Sequence, residues 1–244
     1  MKAPEMKAAM SAKTPMVGVS IMFSSPQLVE MIAALGFDWV LIDCEHGSID
    51  LSNLEVMAIA AKAAGITAIA RPPSNSPIDI MRVMDRGVDG VQVPHIKSQK
   101  EAKAAVESVK FHPLGNRGLA MGTRPSNYGI GVELDQYSKT SNLDSIVVLQ
   151  IEDREAIENL DEILSVADVD VFFVGPSDLS QSLGHPGKAN KPPVSTAITK
   201  IFRSIAEAGL TSGTASSEKQ MEKAKKEGCC YLYTHLNNVL KLGA

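Results

Sequence analysis

The sequence has only three cysteines among 244 residues, two of them adjacent at Cys229 and Cys230, and no C-x-x-C spacing. That excludes a disulfide framework and a thiolate zinc site, and makes a reducing, cytoplasmic setting the expectation. There is no apolar run of the ~18 residues that would span a bilayer. The first fifteen residues, with Lys2, Glu5, Lys7, Lys13 and Pro15, hold no apolar stretch of signal-peptide length, so no membrane association is expected. Basic excess is missing too: 24 Lys and Arg against 28 Asp and Glu give a formal net charge of -4. Such a chain offers no basic stripe to a phosphate backbone, and nucleic acid is not an expected partner.

What is present is a chain with 44% apolar residues, long enough for one good-sized domain. Apolar β-rich runs recur at Met16–Met22, Asp38–Asp43, Thr67–Pro72, Gly90–Pro94, Ile146–Glu152, Asp170–Gly175, Thr211–Ala215 and Cys229–Thr234. Several are continuously apolar, as in Trp39-Val40-Leu41-Ile42, the pattern of strands covered on both faces. Between them, apolar residues fall at helical spacing over Pro26–Leu35, Leu51–Ala64, Pro77–Arg86, Ser98–Lys110 and Glu155–Leu164. Ser25 before Pro26, Ser76 before Pro77, and Ser98 with Glu101 as a capping box mark helix starts. Gly36, Gly65, Gly87 and Gly228 mark stops. Eight β-then-α units predict a single-domain (β/α)₈ TIM barrel over residues 1–244, with an open doubly wound sheet as the competing arrangement. Residues 1–15 are read as an N-terminal extension and 111–144 as a long loop before strand 5, of the kind that is functional or binds a partner subunit.

In such a barrel, chemistry gathers at the carboxyl ends of the strands. Strand 2 runs into Asp43-Cys44-Glu45-His46, strand 3 into Arg71, strand 4 into Pro94-His95, strand 5 into Gln150-Ile151-Glu152-Asp153 and strand 6 into Gly175-Pro176-Ser177-Asp178. Glu152 and Asp178 are placed to share one hard divalent cation such as Mg²⁺ or Mn²⁺, the alternatives being pairing of Glu152 with Arg154 and capping by Asp178. Arg71 suits a carboxylate or a developing enolate oxygen, or an ion pair with Asp43 or Glu45, and the two are compatible. His46, beside acids, suits proton transfer near neutral pH, the alternative being an inert loop histidine. Strand alternation puts Cys44 on the packing side. The backbone N–H groups of Ser177 and Asp178 suit an anion.

The runs Gly36-Phe37-Asp38-Trp39-Val40-Leu41-Ile42-Asp43-Cys44-Glu45-His46-Gly47, Ala70-Arg71-Pro72, Phe111-His112-Pro113-Leu114-Gly115-Asn116-Arg117-Gly118, Gln150-Ile151-Glu152 and Val174-Gly175-Pro176-Ser177-Asp178-Leu179-Ser180 resemble the HpcH/HpaI aldolase family, the class II pyruvate aldolases. The resemblance implies a metal-dependent (β/α)₈ aldolase that reversibly cleaves a 4-hydroxy-2-oxo acid, such as 2,4-dihydroxyhept-2-ene-1,7-dioate or a 2-keto-3-deoxy sugar acid, into pyruvate and an aldehyde. It implies a divalent cation, Mg²⁺, Mn²⁺ or Co²⁺, on Glu152 and Asp178. Arg71 matches the enolate-stabilising arginine, His46 the acid/base histidine and Asp43 the carboxylate that orients them. Gln150, Gly175, Ser177 and Asp178 match substrate-binding positions, and Asp85 matches an acid that pairs with the histidine, across a subunit interface if its own helix end faces away. The implied assembly is a homo-oligomer, a hexamer built as a trimer of dimers that exchange their last helices. The chain departs from the family pattern at Gly213-Thr214-Ala215-Ser216-Ser217 and Tyr231-Leu232-Tyr233-Thr234-His235, where the aldehyde half or the exchanged helix would lie.

Three other readings compete. A citramalyl- or malyl-thioester lyase on the same scaffold needs a basic nucleotide-binding face. A Schiff-base aldolase needs a desolvated lysine in the mouth, and Lys97 is the nearest. A non-catalytic 2-oxo-acid binding protein would keep the pocket without turnover.

Overall fold

Interior-facing residues along several strands end on a polar or charged group at the same end, and the fold puts that to use. The sequence Trp39, Leu41, Asp43 is matched on the next strand by Thr67, Ile69, Arg71, and later by Ile146, Val148, Gln150. In this computed structural model, which describes residues 1–241, these segments belong to eight parallel strands. They are β1 (Met16–Ile21), β2 (Trp39–Asp43), β3 (Thr67–Arg71), β4 (Gly90–Val93), β5 (Ile146–Ile151), β6 (Val171–Val174), β7 (Ser212–Ala215) and β8 (Tyr231–His235). Each pairs with the next in chain order and β8 closes on β1, so the expected barrel forms and the open sheet does not.

The helices are α1 (Ala3–Ser11), α2 (Pro26–Ala34), α3 (Leu51–Ala64), α4 (Pro77–Met84), α5 (Gln99–Val109), α6 (Leu134–Asp144), α7 (Arg154–Glu158), α8 (Leu160–Leu164), α9 (Pro176–Ser182), α10 (Val194–Glu207), α11 (Glu218–Lys226) and α12 (Leu236–Lys241). Outward-facing strand residues such as Val40, Ile42, Val91, Val93, Val147 and Leu149 pack with the helices in one buried cluster. Inward-facing residues make a second cluster in which Met16, Trp39, Leu41, Ile69, Val148, Phe173 and Tyr231 fill the barrel. Gly18 is required there, because a Cβ would enter the Trp39 indole.

Local signals are realised with small differences. Ser25 and Ser76 accept from the third residue onward, at 3.2 Å each. Ser98 does so for Glu101 N at 3.3 Å, but the Glu101 carboxylate bonds Lys97 N at 2.7 Å rather than Ser98 N, so the expected capping box is half formed. The expected helix Glu155–Leu164 is divided into α7 and α8 at Asn159, whose side chain reaches the Lys97 carbonyl at 2.8 Å. The first residues, read only as an extension, form α1, which buries Met6 and Met10 against the amino-terminal end of the barrel interior. Within 111–144, read as a loop, lie a 3₁₀ turn at Arg124–Gly129 and α6.

Candidate active site

The site begins at the carboxyl ends of β2 and β3, whose register sets Asp43 beside Arg71. Both are buried. Arg71 Nε donates to Asp43 Oδ1 at 2.9 Å and Nη2 to Asp43 Oδ2, a two-point fork. Asp43 Oδ1 also accepts from the backbone N–H groups of Glu45 and His46 at 3.1 and 3.2 Å, which folds the loop after β2 over the carboxylate. Burial alone would raise the Asp43 carboxyl, but Arg71 and these two N–H groups outweigh it and hold it below the ordinary range. Arg71 Nη1 lies 3.2 Å from Glu45 Oε2 without hydrogen-bond alignment. The fork therefore uses two of the five guanidinium N–H donors and leaves donors on Nη1 and Nη2. The ion-pair and ligand readings of Arg71 are thus compatible in space.

Arg71 also lines a cavity of about 180 Å³ together with His46, Gln150, Glu152, Gly175, Ser177 and Asp178, so six other residues expected from sequence meet it at one place. Glu152 is buried; its Oε1 accepts from His95 N at 3.0 Å and its Oε2 from Gln150 Nε2. It does not pair with Arg154 among the ion pairs of the described residues. Burial first, and then the charge of Asp178, push its carboxyl up to about 7. Gly175 is glycine for a local reason: a Cβ there would overlap Glu152 Oε2. Pro176, Ser177 and Asp178 are the first three residues of α9, where backbone N–H groups have no acceptor inside the helix. Cys44 packs with the outer core, and burial raises its thiol to about 12, which fits the packing side and not a nucleophile.

No cluster of three or more His, Cys, Asp or Glu groups suited to a metal occurs among the described residues. The donor set is a pair, Glu152 and Asp178, on one small cavity. The Glu152 carboxyl is raised first by its burial and further by the Asp178 charge, and a hard divalent cation between the two would offset both, with water and substrate oxygens completing its coordination. The residues fit such an ion.

His46 stands at the rim with its side chain half exposed, Nε2 3.7 Å from Glu45 Oε2. Asp85 does not join it within the chain. It caps α4 at the end that leads into β4, the amino-terminal side of the barrel, and pairs with Arg117 Nη2 at 2.7 Å. Lys97, the Schiff-base candidate, is 43% exposed with Asp153 Oδ1 at 3.6 Å, so the desolvation a nucleophilic lysine needs is missing.

Sequence reasoning gave no role to several groups now found here. His95, in a left-handed conformation (φ 54°), places Nδ1 2.9 Å from Asp153 Oδ2 and Nε2 3.4 Å from Glu45 Oε1. Burial would lower its pKa, but the Asp153 contact and the neighbouring charges of Glu152 and Glu45 raise it. Met22, Phe173, Tyr233 and His235 also line the cavity. Burial lowers the His235 pKa, and the Arg71 charge adds to this. The available signal was position: His95 and Asp153 stand at strand ends, and Tyr233 and His235 alternate inward along β8.

Comparison with known proteins identifies the family. The family model HpcH/HpaI aldolase/citrate lyase matches residues 17–230. The chain is 32% identical over 221 residues to a hydroxypyruvate/pyruvate aldolase of Sagittula stellata, covering 91% of this chain and 86% of that protein. It is 35% identical over 207 residues to a 5-keto-4-deoxy-D-glucarate aldolase of Shigella boydii, covering 85% and 79%. The crystal structure of an HpcH/HpaI aldolase/citrate lyase family protein from Burkholderia cenocepacia superposes with a TM-score of 0.91 at 26% identity, over 98% of this chain and 95% of that one. The motifs' resemblance is thereby borne out: the chain belongs to the HpcH/HpaI aldolase/citrate lyase family and is a carbon–carbon lyase.

Proposed function

We propose that this chain is a metal-dependent aldolase that reversibly cleaves a 4-hydroxy-2-oxo acid to pyruvate and an aldehyde. The observation that carries the reading is the convergence of a forked, buried arginine and the two carboxylates Glu152 and Asp178 on one cavity of about 180 Å³. A divalent ion held by Glu152 and Asp178 would act as a Lewis acid toward the 2-oxo acid.

The chain's own residues supply the rest. The Ser177 and Asp178 amides and a Gln150 N–H receive substrate oxygens. Arg71, held by Asp43, directs its free donors at the oxygen where negative charge develops, and a donor fixed in advance pays no reorganisation when that charge appears. In cleavage, His46 takes the proton from the C4 hydroxyl, the C3–C4 bond breaks, and its electron pair passes into the pyruvate enolate. Protonation at C3 then gives pyruvate, and condensation runs the same steps in reverse. Because Asp85 faces the other end of its own barrel, it serves His46 only from a neighbouring copy, in the homo-oligomer that the resemblance implies.

The test is pyruvate release from a 4-hydroxy-2-oxo acid, followed by coupled reduction of the pyruvate. Turnover is expected with Mg²⁺ or Mn²⁺, loss on chelation and return on adding metal back. Turnover that survives chelation, or a covalent adduct trapped by borohydride with pyruvate, sinks the reading.

A further inference from the structure

Four polar side chains form a line through the barrel interior, of which the mechanism uses only the last two. Tyr231 OH donates to Gln92 Oε1 at 3.2 Å, Gln92 Nε2 to Gln150 Oε1, and Gln150 Nε2 to Glu152 Oε2. All four residues are at most 1% exposed. Val91 and Val93 face the helices, whereas Gln92 between them faces inward, so a carboxamide stands inside a largely apolar barrel. Such a group is unfavourable there unless both of its ends are paired, and here both are.

The polarity of the line follows from its end. Toward an ionised Glu152, the form a bound cation requires, a Gln150 carbonyl would set acceptor against acceptor, so Gln150 presents its NH₂, as in the structure. Its carbonyl then faces Gln92, which must present NH₂ in turn, and the Gln92 carbonyl needs a donor. Tyr231, wholly buried, supplies one. Each amide has one consistent orientation as long as the hydroxyl is present.

We infer that Gln92 and Tyr231 are positioning residues for the cavity, although neither lines it. They hold the Gln150 amide with one N–H on Glu152 and the second available to a substrate oxygen. The inference rests on the cavity being the 2-oxo-acid site. Without Gln92 the Gln150 carbonyl loses its partner, and the Glu152 contact alone is left to hold the amide that faces the substrate. Substrate binding should suffer more than turnover.

The test compares Tyr231→Phe, Gln92→Leu and the double variant by pyruvate titration calorimetry with Mg²⁺, steady-state kinetics, and Mn²⁺ binding without substrate. With wild-type melting temperatures as the reference, Gln92→Leu should weaken pyruvate about tenfold and Tyr231→Phe about threefold, the size expected for one lost buried hydrogen bond. The double variant should be no weaker than Gln92→Leu alone, because both changes break one line. Values of kcat within threefold of wild type and Mn²⁺ affinity a few-fold weaker are expected. A folded Tyr231→Phe protein with unchanged pyruvate affinity overturns the inference, as do multiplicative losses in the double variant; Tyr231→Phe, which removes one oxygen, is decisive even if Gln92→Leu does not fold. Failure of the wild-type protein to bind pyruvate would instead remove the aldolase reading, and this inference with it.

Discussion

At the scale of residues, Arg71 shows how one side chain is made both rigid and available. Asp43 takes two donors from its fork, and two backbone N–H groups fix Asp43 in turn. Arg71→Lys keeps the charge but cannot make the two-point contact, so it tests geometry and not charge. Enolate formation is expected to fall by about 10²-fold, the effect typical of losing one aimed donor, while pyruvate affinity changes less. Comparing kcat with the dissociation constant checks this; equal loss in both would assign Arg71 to ground-state binding alone. Asp43, Arg71 and Glu152 were legible in sequence because each ends an apolar run, where β alternation and barrel topology together fix the direction of the side chain. His95 and Asp153 stand at equally visible positions. What sequence could not supply was the left-handed turn at His95 that sends its backbone N–H to Glu152.

At the scale of elements, α6 is the instructive case. Its sequence has no apolar stripe, and among its residues only Asn142 is buried, so periodicity had nothing to detect. The helix is held instead through polar contacts at its carboxyl end. The Asn142 side chain accepts from Phe111 N and donates to Phe111 O, while buried Lys110 Nζ donates to the carbonyls of Asn142 and Ser145 at 2.8 and 2.9 Å. Burial lowers the Lys110 ammonium to about 8 from its ordinary 10.5. Between those values the unfolded chain binds a proton that the folded chain does not, so this group's contribution to stability rises with pH across the window. Each pH unit adds at most about 1.4 kcal/mol. Wild type should therefore gain stability relative to Lys110→Met between pH 8 and 10 in denaturant titrations, and a pH-independent difference would contradict the assignment. The strands and helices α2 to α5 were legible for the opposite reason, since their apolar spacing directly reports what they pack against. Helix α1 escaped notice because nine residues bearing two buried methionines give too short a pattern to separate from an extension.

At the scale of the whole molecule, the barrel separates stability from chemistry along its axis. The amino-terminal end is closed by α1 and by Met6, Met10, Met16 and Trp39, and the carboxyl end carries the charged cavity. Met6→Ala should cost about 2–5 kcal/mol, as for a large-to-small change at a wholly buried site, and leave kcat of the folded protein within about twofold. Thermal melts and kinetics on one preparation check both parts, and a large drop in kcat would show that the ends are coupled. No helix among the described residues is long and apolar enough to cross a membrane. The net charge of -4 says little about the ligand, because the groups that would receive an anion are local: one arginine, a few amides and a cation on Glu152 and Asp178.

Metal-dependent formation of a pyruvate enolate in the cavity of Arg71, Glu152 and Asp178 is the step on which all of this depends, and it can be observed without knowing the aldehyde. The measurement is exchange of the pyruvate methyl protons in deuterated buffer, followed by NMR. Exchange is expected with Mg²⁺ or Mn²⁺, suppressed by a chelator and strongly reduced in Arg71→Lys. No exchange in the presence of either metal, or exchange indifferent to chelation, would contradict it.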